Sequence, residues 1–474
     1  MSVPQHGEVV TFGGAVRFSP RRRYRPSSVA EVLAILDHHA GDRIRVAGAL
    51  RSWSEAARSD DVLLDLSFFG AVSVEGAASA PVAEIGGGCT IRRAFARIRR
   101  LAPGFTLPGL GGGTAQTLAG AISTGTHGSG EPSLGHFVTG LELAAFDAAT
   151  GKARLHRIEG GEALKAARCA LGCMGAILSL RVPLVPSASV RESVLHCPSL
   201  EAVLAEEPDH PLQHFLLVPY RWSWIAFRRR RAPAQGSRAL RLPAGLASLP
   251  LALVLKALVV LNDSRATQGF YRHLFAALSP RGSRTLEAKA IADGPWRAPF
   301  AHLEMELLLP ARHLRPAVAM LRHVLSEFAD DGVGDPEAAV LLRRIGMADA
   351  LDSERGRYAH HFPILFRRVL PDDALISPTS LAREPFYAVS FLSYRRKREG
   401  FLALADFLAR SLVRLYGAKC HWGTHNPLAY AEIAPLYPAL ADFRAQCAAL
   451  DPRGVFRNDY AARMLGFGTF GREE

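Results

Sequence analysis

Two glycine-rich pieces stand out as residues that could do chemistry. Gly109 to Gly113 reads GLGGG, and Thr117 to Gly130 reads TLAGAISTGTHGSG. Glycine takes positive φ at no steric cost and lets a ligand approach the main chain. Successive N–H groups on such a backbone bind phosphate oxygens without a charged side chain. Gly112, Gly120 and Gly125 give that freedom. Thr117, Ser123, Thr124 and Thr126 add hydroxyl donors, and His127 follows directly. Leu118, Ala119, Ala121 and Ile122 would pin the stretch to a core. The expectation is a cradle for a pyrophosphate, with a glycine-rich surface loop as the plain alternative. It is not the G-x-G-x-x-G fingerprint of dinucleotide folds. It is not a Walker loop either, because no Gly-Lys-Ser/Thr follows.

Further polar candidates are spread along the chain. Lys419 to Pro427 reads KCHWGTHNP and holds His421, Thr424, His425 and Asn426. Arg367 lies in an apolar stretch, PILFRRVLP, and Glu304 and Glu306 alternate in HLEMELLLP. Alternation puts both carboxylates on one face of a strand. There they could work as acid or base, but their expected place is the surface.

The elements that must position these groups read as mixed α/β. Ser28 with Glu31 forms a capping box ahead of Val29, Val32, Leu33, Ile35 and Leu36, which have helical period. Arg43 to Ala47 alternates as a strand and exits through Gly48-Ala49-Leu50-Arg51-Ser52. Residues 62–66, 72–74 and 82–89 read as strands, 90–98 as a helix, 138–146 and 153–158 as a hairpin, and 162–168 as a helix. Residues 215–218, 222–227 and the stretch from His302 read as strands, and 316–328 as a helix.

The chain has 474 residues, room for two or three domains, and 57 Lys and Arg against 44 Asp and Glu, a net charge of +13. Such a balance favours acidic partners. No zinc-finger spacing, zipper or aromatic-basic motif accompanies it, so nucleic acid is not expected. The cysteines are too few and scattered for a disulfide framework, and buried free thiols are expected. The first residues lack the charged and apolar regions of a secretory signal, so cytoplasm is the default location.

Gly120–Gly130 followed by VTGLEL (Val138–Leu143) resembles the flavin-pyrophosphate segment of the vanillyl-alcohol-oxidase-type (PCMH-type) FAD proteins, nearest the aldonolactone and alditol oxidases. The resemblance implies an α/β (α+β) fold. Residues 1–186 would form a two-subdomain FAD-binding domain. Residues 187–418 would form a discontinuous α+β cap with an apolar insertion at 240–262, and 419–474 would return to the FAD domain. The cofactor would be FAD, contacted by Ala47, Gly48, Ala49, Leu50, Arg51, Ser52, Gly112, Thr117, Gly120, Ser123, Thr124, Gly125, Thr126, His127, Ile177 and His421. Ile177 lies in a segment similar to the family's L-G-x-x-G-x-I/V, on the adenine-ribose side. The ending D-P-x-G-x-F-x-N-D-Y (Asp451–Tyr460) is a hallmark of the family.

Three departures from that branch fall at the implied site. Its loop G-x-G-H-S-x-S often carries flavin covalently on the histidine; here Leu50 replaces the second glycine and Arg51 the histidine. Noncovalent FAD is therefore expected. Its E-x-R keeps the arginine as Arg367 but has Leu365 at the carboxylate, and its H-W-G-K keeps His421 but has Thr424 at the lysine. The implied catalytic set is Arg367, His421, Thr424 and Asn426, with His421 handling a proton or orienting flavin. The implied reaction is hydride transfer from a CH–OH carbon of a small alcohol or lactone to flavin N5. Oxygen, or a quinone or redox protein, would take the electrons. A flavoprotein that has lost catalysis is the alternative outside enzymology.

One stretch is not absorbed by that reading. Arg228 to Arg231 are four consecutive cations, and Leu242 to Leu261 is an apolar run broken only by Lys256 among charged residues. A run this short is not expected to cross a bilayer. The expectation is an apolar helical hairpin in the cap, or else a peripheral contact with the inner membrane face, arginines on headgroups.

Overall fold

The computed structural model describes residues 6–109, 111, 113–233, 244–261, 263–287, 301–396 and 398–468. Gly112 and the ends of the apolar insertion fall outside the described residues.

Three sheets carry the chain. The first is parallel, with β1 (Arg22–Tyr24), β2 (Ile44–Ala47) and β3 (Val62–Asp65) in the order β1-β3-β2. Helix α1 (Val29–His38) connects β1 to β2 and begins as expected. The Ser28 hydroxyl accepts from the Glu31 N–H at 3.2 Å, and the Glu31 carboxylate reaches back to the Ser27 N–H at 2.8 Å. Val62, Leu63 and Leu64 are all buried, the mark of a parallel strand covered on both sides.

The second sheet is antiparallel: β4 (Val72–Ala77), β5 (Ala80–Gly86), β6 (Gly140–Phe146), β7 (Ala153–Ile158) and β8 (Ala176–Pro183), in the order β7-β6-β8-β5-β4. Between β5 and β6 lie α2 (Ile91–Leu101) and the short α3 (Leu118–Ser123), which opens the glycine cradle.

The third sheet has eight antiparallel strands. They are β9 (Ser189–Cys197), β10 (His214–Val218), β11 (Ser223–Ala232), β12 (Gly282–Glu287), β13 (His302–Pro310), β14 (Ile364–Val369), β15 (Phe386–Tyr394) and β16 (Lys419–Cys420). Their order is β12-β9-β11-β10-β14-β15-β13-β16. One face of this sheet, with Met305, Leu307, Phe366, Val389 and Phe391, packs on helices α6 (Leu314–Ala329) and α7 (Arg398–Tyr416) in the main core. The other face is split. One part is polar and turns to the glycine cradle. The other is apolar and lies under α4 (Ala244–Leu261) and the helical segment 264–278, whose first turns are α5 (Ser264–Gly269).

The arginine run is placed differently from the headgroup expectation. It extends β11 to Ala232, so its side chains alternate. Arg229 is buried and donates to the buried Glu192 at 2.6 Å, and Arg231 pairs with Glu131. Arg228 lies 3.6 Å from Glu206, so three of the four cations are tied into the fold. All six cysteines are free and buried.

The tail returns to the first sheet. Val455 O accepts from the Ile44 N–H at 2.9 Å. The Asp451 carboxylate accepts from the N–H groups of Val455 at 2.8 Å and Phe456 at 3.0 Å. Asn458 Nδ2 donates to the carbonyls of Glu55 at 3.0 Å and Arg58 at 3.0 Å. Buried Arg45 donates to the carbonyls of Phe456 at 2.6 Å, Leu171 at 2.5 Å and Ala56. This one guanidinium joins β2, the turn before β8 and the tail.

Candidate active site

The glycine cradle is a set of interlocked loops with bare main chain. A Cβ on Gly48 would lie 2.4 Å from Thr117 Oγ1, and one on Gly111 would lie 2.2 Å from Gly128 Cα. A Cβ on Gly87 would meet the Ile177 carbonyl at 1.9 Å. Glycine is required at Gly111 and Gly87 because the loops touch through their backbones, and Gly48 leaves room for the Thr117 hydroxyl that caps α3. Gly48, Ala49 and Gly120 are exposed, so no side chain covers that surface. A pyrophosphate fits such a surface, since it needs N–H groups at close approach. Leu50 takes φ 51°, the conformation the family glycine would take freely, at a cost of about 1 kcal/mol or more.

The hydroxyls of this stretch divide. Thr117 caps α3, accepting from the Gly120 N–H at 3.2 Å, and keeps its own hydrogen. Ser123 donates to the Ala119 carbonyl at 2.7 Å, Thr124 lies 3.4 Å from the carbonyls of Gly120 and Ala121, and Thr126 donates to Gln116 Oε1 at 3.3 Å. Gly125, at φ 76°, turns the chain against Pro378. The buried Ile177 opens an irregularity in β8. The Arg51 guanidinium lies 3.7 Å above the Phe12 ring, which packs edge-on against Trp53 and His302.

The polar face of the third sheet meets this cradle. Register places Leu365 and Glu306 on either side of Ser390, and Leu392 beside Glu304. Arg367, two residues beyond Leu365, shares their face and pairs with Glu306. Ser390 Oγ donates to Glu306 Oε2 at 2.5 Å, and His127 Nε2 reaches Glu306 Oε1 at 3.0 Å. The other His127 nitrogen lies 3.0 Å from the Gly128 carbonyl. Glu306 therefore accepts from Arg367, Ser390 and His127 at once. Burial works to raise its pKa, but Arg367 and His127 outweigh it and hold the carboxyl well below the usual range. Glu304 has no such set of donors. Burial, then the Glu306 charge, push it up to about 8. It lies deep in the molecule yet keeps part of its surface open, as a group facing an internal space would.

The loop after β16 closes the site. His421 donates its N–H to the Glu306 carbonyl at 2.9 Å, and Thr424 Oγ1 accepts from the Glu306 N–H at 3.1 Å. Gly423 N–H donates to His421 Nδ1 at 3.1 Å, which leaves the ring proton of neutral His421 on Nε2. Burial pushes His421 down to about 4, so the ring is neutral near pH 7. The Ser52 hydroxyl and Trp53 N–H both donate to the Gly423 carbonyl at 2.8 Å, tying the Arg51 loop to this turn. Asn426 turns elsewhere: its Oδ1 accepts from the Leu428 N–H at 3.1 Å.

Arg367, His421, Thr424 and His127 thus converge, while Asn426 stays in its own turn. Sequence reasoning placed Glu304 and Glu306 at the surface; both lie inside. It did not single out Ser390. The available signal was two acids alternating with Leu303, Met305 and Leu307, all buried. A strand with that pattern in a sheet covered on both faces carries its acids into the interior.

A family model described as D-arabinono-1,4-lactone oxidase matches residues 271–464, and one described as FAD binding domain matches residues 20–154. The chain is 40% identical over 467 residues to a long-chain alcohol oxidase of an uncultured marine euryarchaeote, covering 96% of each chain. It is 25% identical to an alditol oxidase of a Streptomyces species, covering 96% of this chain and 99% of the relative. Among solved structures, a solvent-stable cholesterol oxidase superposes with a TM-score of 0.74 at 14% identity, covering 98% of both chains, which speaks for the fold alone. With the glycine cradle and the returning tail, these matches show that the chain belongs to the FAD-dependent aldonolactone and alditol oxidase branch of the PCMH-type flavoproteins, oxidoreductases of CH–OH groups.

Proposed function

We propose that the protein oxidises long-chain primary alcohols to aldehydes. The observation that carries this reading is the row beside the polar cluster. Leu216, Leu365 and Leu392 continue the face of Arg367 and Glu304 and pack into the apolar cluster under α4. A polyol would leave its hydroxyls unpaired there, at a cost of about 1–3 kcal/mol each. An alkyl chain gains about 0.8 kcal/mol per buried methylene. The name of the 40% identical relative supports the same substrate class.

When bound, FAD supplies the acceptor for the hydride that leaves the carbinol carbon. The residues of the chain do the rest. Glu304, once ionised, accepts the hydroxyl proton as the C–H bond breaks and the C=O bond forms. Glu306 fixes Arg367, whose charge faces the negative charge that develops beside it. His421 carries its proton on Nε2, its only lone pair being taken by Gly423, and that N–H faces the Gly125 carbonyl, which orients the ring. Thr424 is a positioning residue that holds the β13 backbone at Glu306.

The test is a series of 1-alkanols with sorbitol and an aldonolactone alongside. kcat/KM should rise about fourfold per methylene until the row is filled, from about 0.8 kcal/mol each. Leu365→Glu should flatten that rise. Faster turnover of sorbitol or the lactone than of the long alkanols would overturn the assignment. We further infer that FAD is held noncovalently, because Arg51 stands where the branch carries its linking histidine. Acid precipitation should release all flavin colour to the supernatant; colour kept in the pellet would refute it. Dioxygen is the proposed electron acceptor. A quinone is the second reading, favoured by the apolar layer over the site, and reoxidation by air within one turnover would remove it.

A further inference from the structure

Helix α4 is apolar on every side. Its eighteen residues, Ala244–Leu261, contain one charged group, Lys256. A helix of that kind belongs inside a protein or in contact with lipid. Leu251, Leu255, Leu258 and Val259 form its buried ridge. At 100° per residue, Leu253 and Val260 fall opposite that ridge and Leu261 falls to one side. These three are 51%, 44% and 69% exposed. The next helical segment adds Leu274 and Leu278, one turn apart and 57% and 52% exposed. Scattered exposed leucines are ordinary; a set confined to one helical layer marks a contact surface.

We propose that this outer face docks peripherally on an anionic lipid surface and that the alcohol enters the site from there. The proposal rests on the lipophilic substrate assigned above and names where that substrate is taken up. Three features select lipid over a second copy of the chain. Residues 251–286 contain five cations (Lys256, Arg265, Arg272, Arg281, Arg284) and one acid, Asp263; Arg272 pairs with Asp331, and Arg284 shares Glu192 with Arg229, which still leaves the layer net positive. The Asp263 carboxylate is already used as the N-cap of α5, accepting from the N–H groups of Arg265 and Ala266. Two such faces brought together would repel, whereas anionic headgroups would neutralise them. The same helix roofs the alkyl row, since its buried ridge packs into one cluster with Leu216, Leu365 and Leu392. Among the described residues no helix is long and apolar enough to cross a membrane. Contact is therefore interfacial, with the outer leucines in the acyl boundary.

The experiment is co-sedimentation of the holoenzyme with vesicles of 3:1 phosphatidylcholine and phosphatidylglycerol. The wild type is compared with the double variant L253Q/L261Q, and 1-butanol oxidation in buffer monitors the fold. The expected result is binding by the wild type, at least a tenfold weaker partition of the variant, and equal butanol turnover. Binding unchanged in the variant would overturn the proposal, because attraction would then come from net charge alone. So would a wild type that stays in the supernatant, or self-association without lipid that the variant abolishes. Detergent-dispersed alcohols separate this proposal from the substrate assignment. If they show the chain-length rise while vesicles are not bound, the docking face fails and the substrate reading stands.

Discussion

Glu304→Gln is expected to lower the rate of substrate-dependent flavin reduction by about 10²–10⁴-fold. The flavin content of the protein should not change, because Glu304 lies on the third sheet and not in the glycine cradle. The argument is electrostatic. Two carboxyls on one strand face share a buried site, and their surroundings drive them apart. Glu306 takes Arg367, Ser390 and His127 and stays ionised; at Glu304 burial and the charge of its neighbour outweigh the pull of Arg367 and Ser390, and it rises to about 8. A base must be ionised to act. The wild-type rate of flavin reduction should therefore climb about tenfold per pH unit below that value and level off above it. Stopped-flow reduction across pH 6 to 10 reads both features. In Glu304→Gln the limb near pH 8 should vanish together with the fast rate. A variant that keeps both would remove Glu304 from the chemistry. A lower rate with the limb intact would make it a positioning residue.

The second large effect is on stability. Arg45→Ala should cost about 3–5 kcal/mol, the range found when a buried charged network loses one member. Arg45 is 4% exposed and serves three carbonyls from chain segments far apart in sequence. Its loss leaves those acceptors unpaired in the interior, each at a cost of about 1–3 kcal/mol if no water enters. Arg45→Lys should recover little, because an ammonium lacks the planar fork of donors. A denaturant titration followed by flavin fluorescence gives the midpoint shift. A shift too small to measure would mean that the tail is held by Asp451 and Asn458 alone.

Much of the scaffold was legible in the residues. Helix α1 follows from Ser28, Glu31 and an apolar repeat, all within one local stretch. The hairpin of β6 and β7 follows from two strand-like stretches on either side of a short turn. The glycine cradle follows from backbone chemistry, since only glycine tolerates a neighbouring main chain at the distances seen for Gly87 and Gly111. The resemblance carried further than composition could, because the Asp451–Tyr460 ending is a pattern of caps and turns whose partners lie four hundred residues away.

What the tertiary structure alone decided is which groups face each other. The carboxylate that pairs with Arg367 is Glu306, two strands across the sheet. No spacing in the chain reveals that, because cross-strand distance is set by register and not by separation in sequence. The arginine run read as a loose cationic patch became part of β11 for the same reason: alternation sent Arg229 inward to Glu192. Local sequence determined the elements, the cradle and the class of cofactor. The partners of Arg367, the separate fates of two neighbouring glutamates and the apolar row beside them came only from packing one sheet against the rest of the chain, since charge and burial are properties of the surroundings.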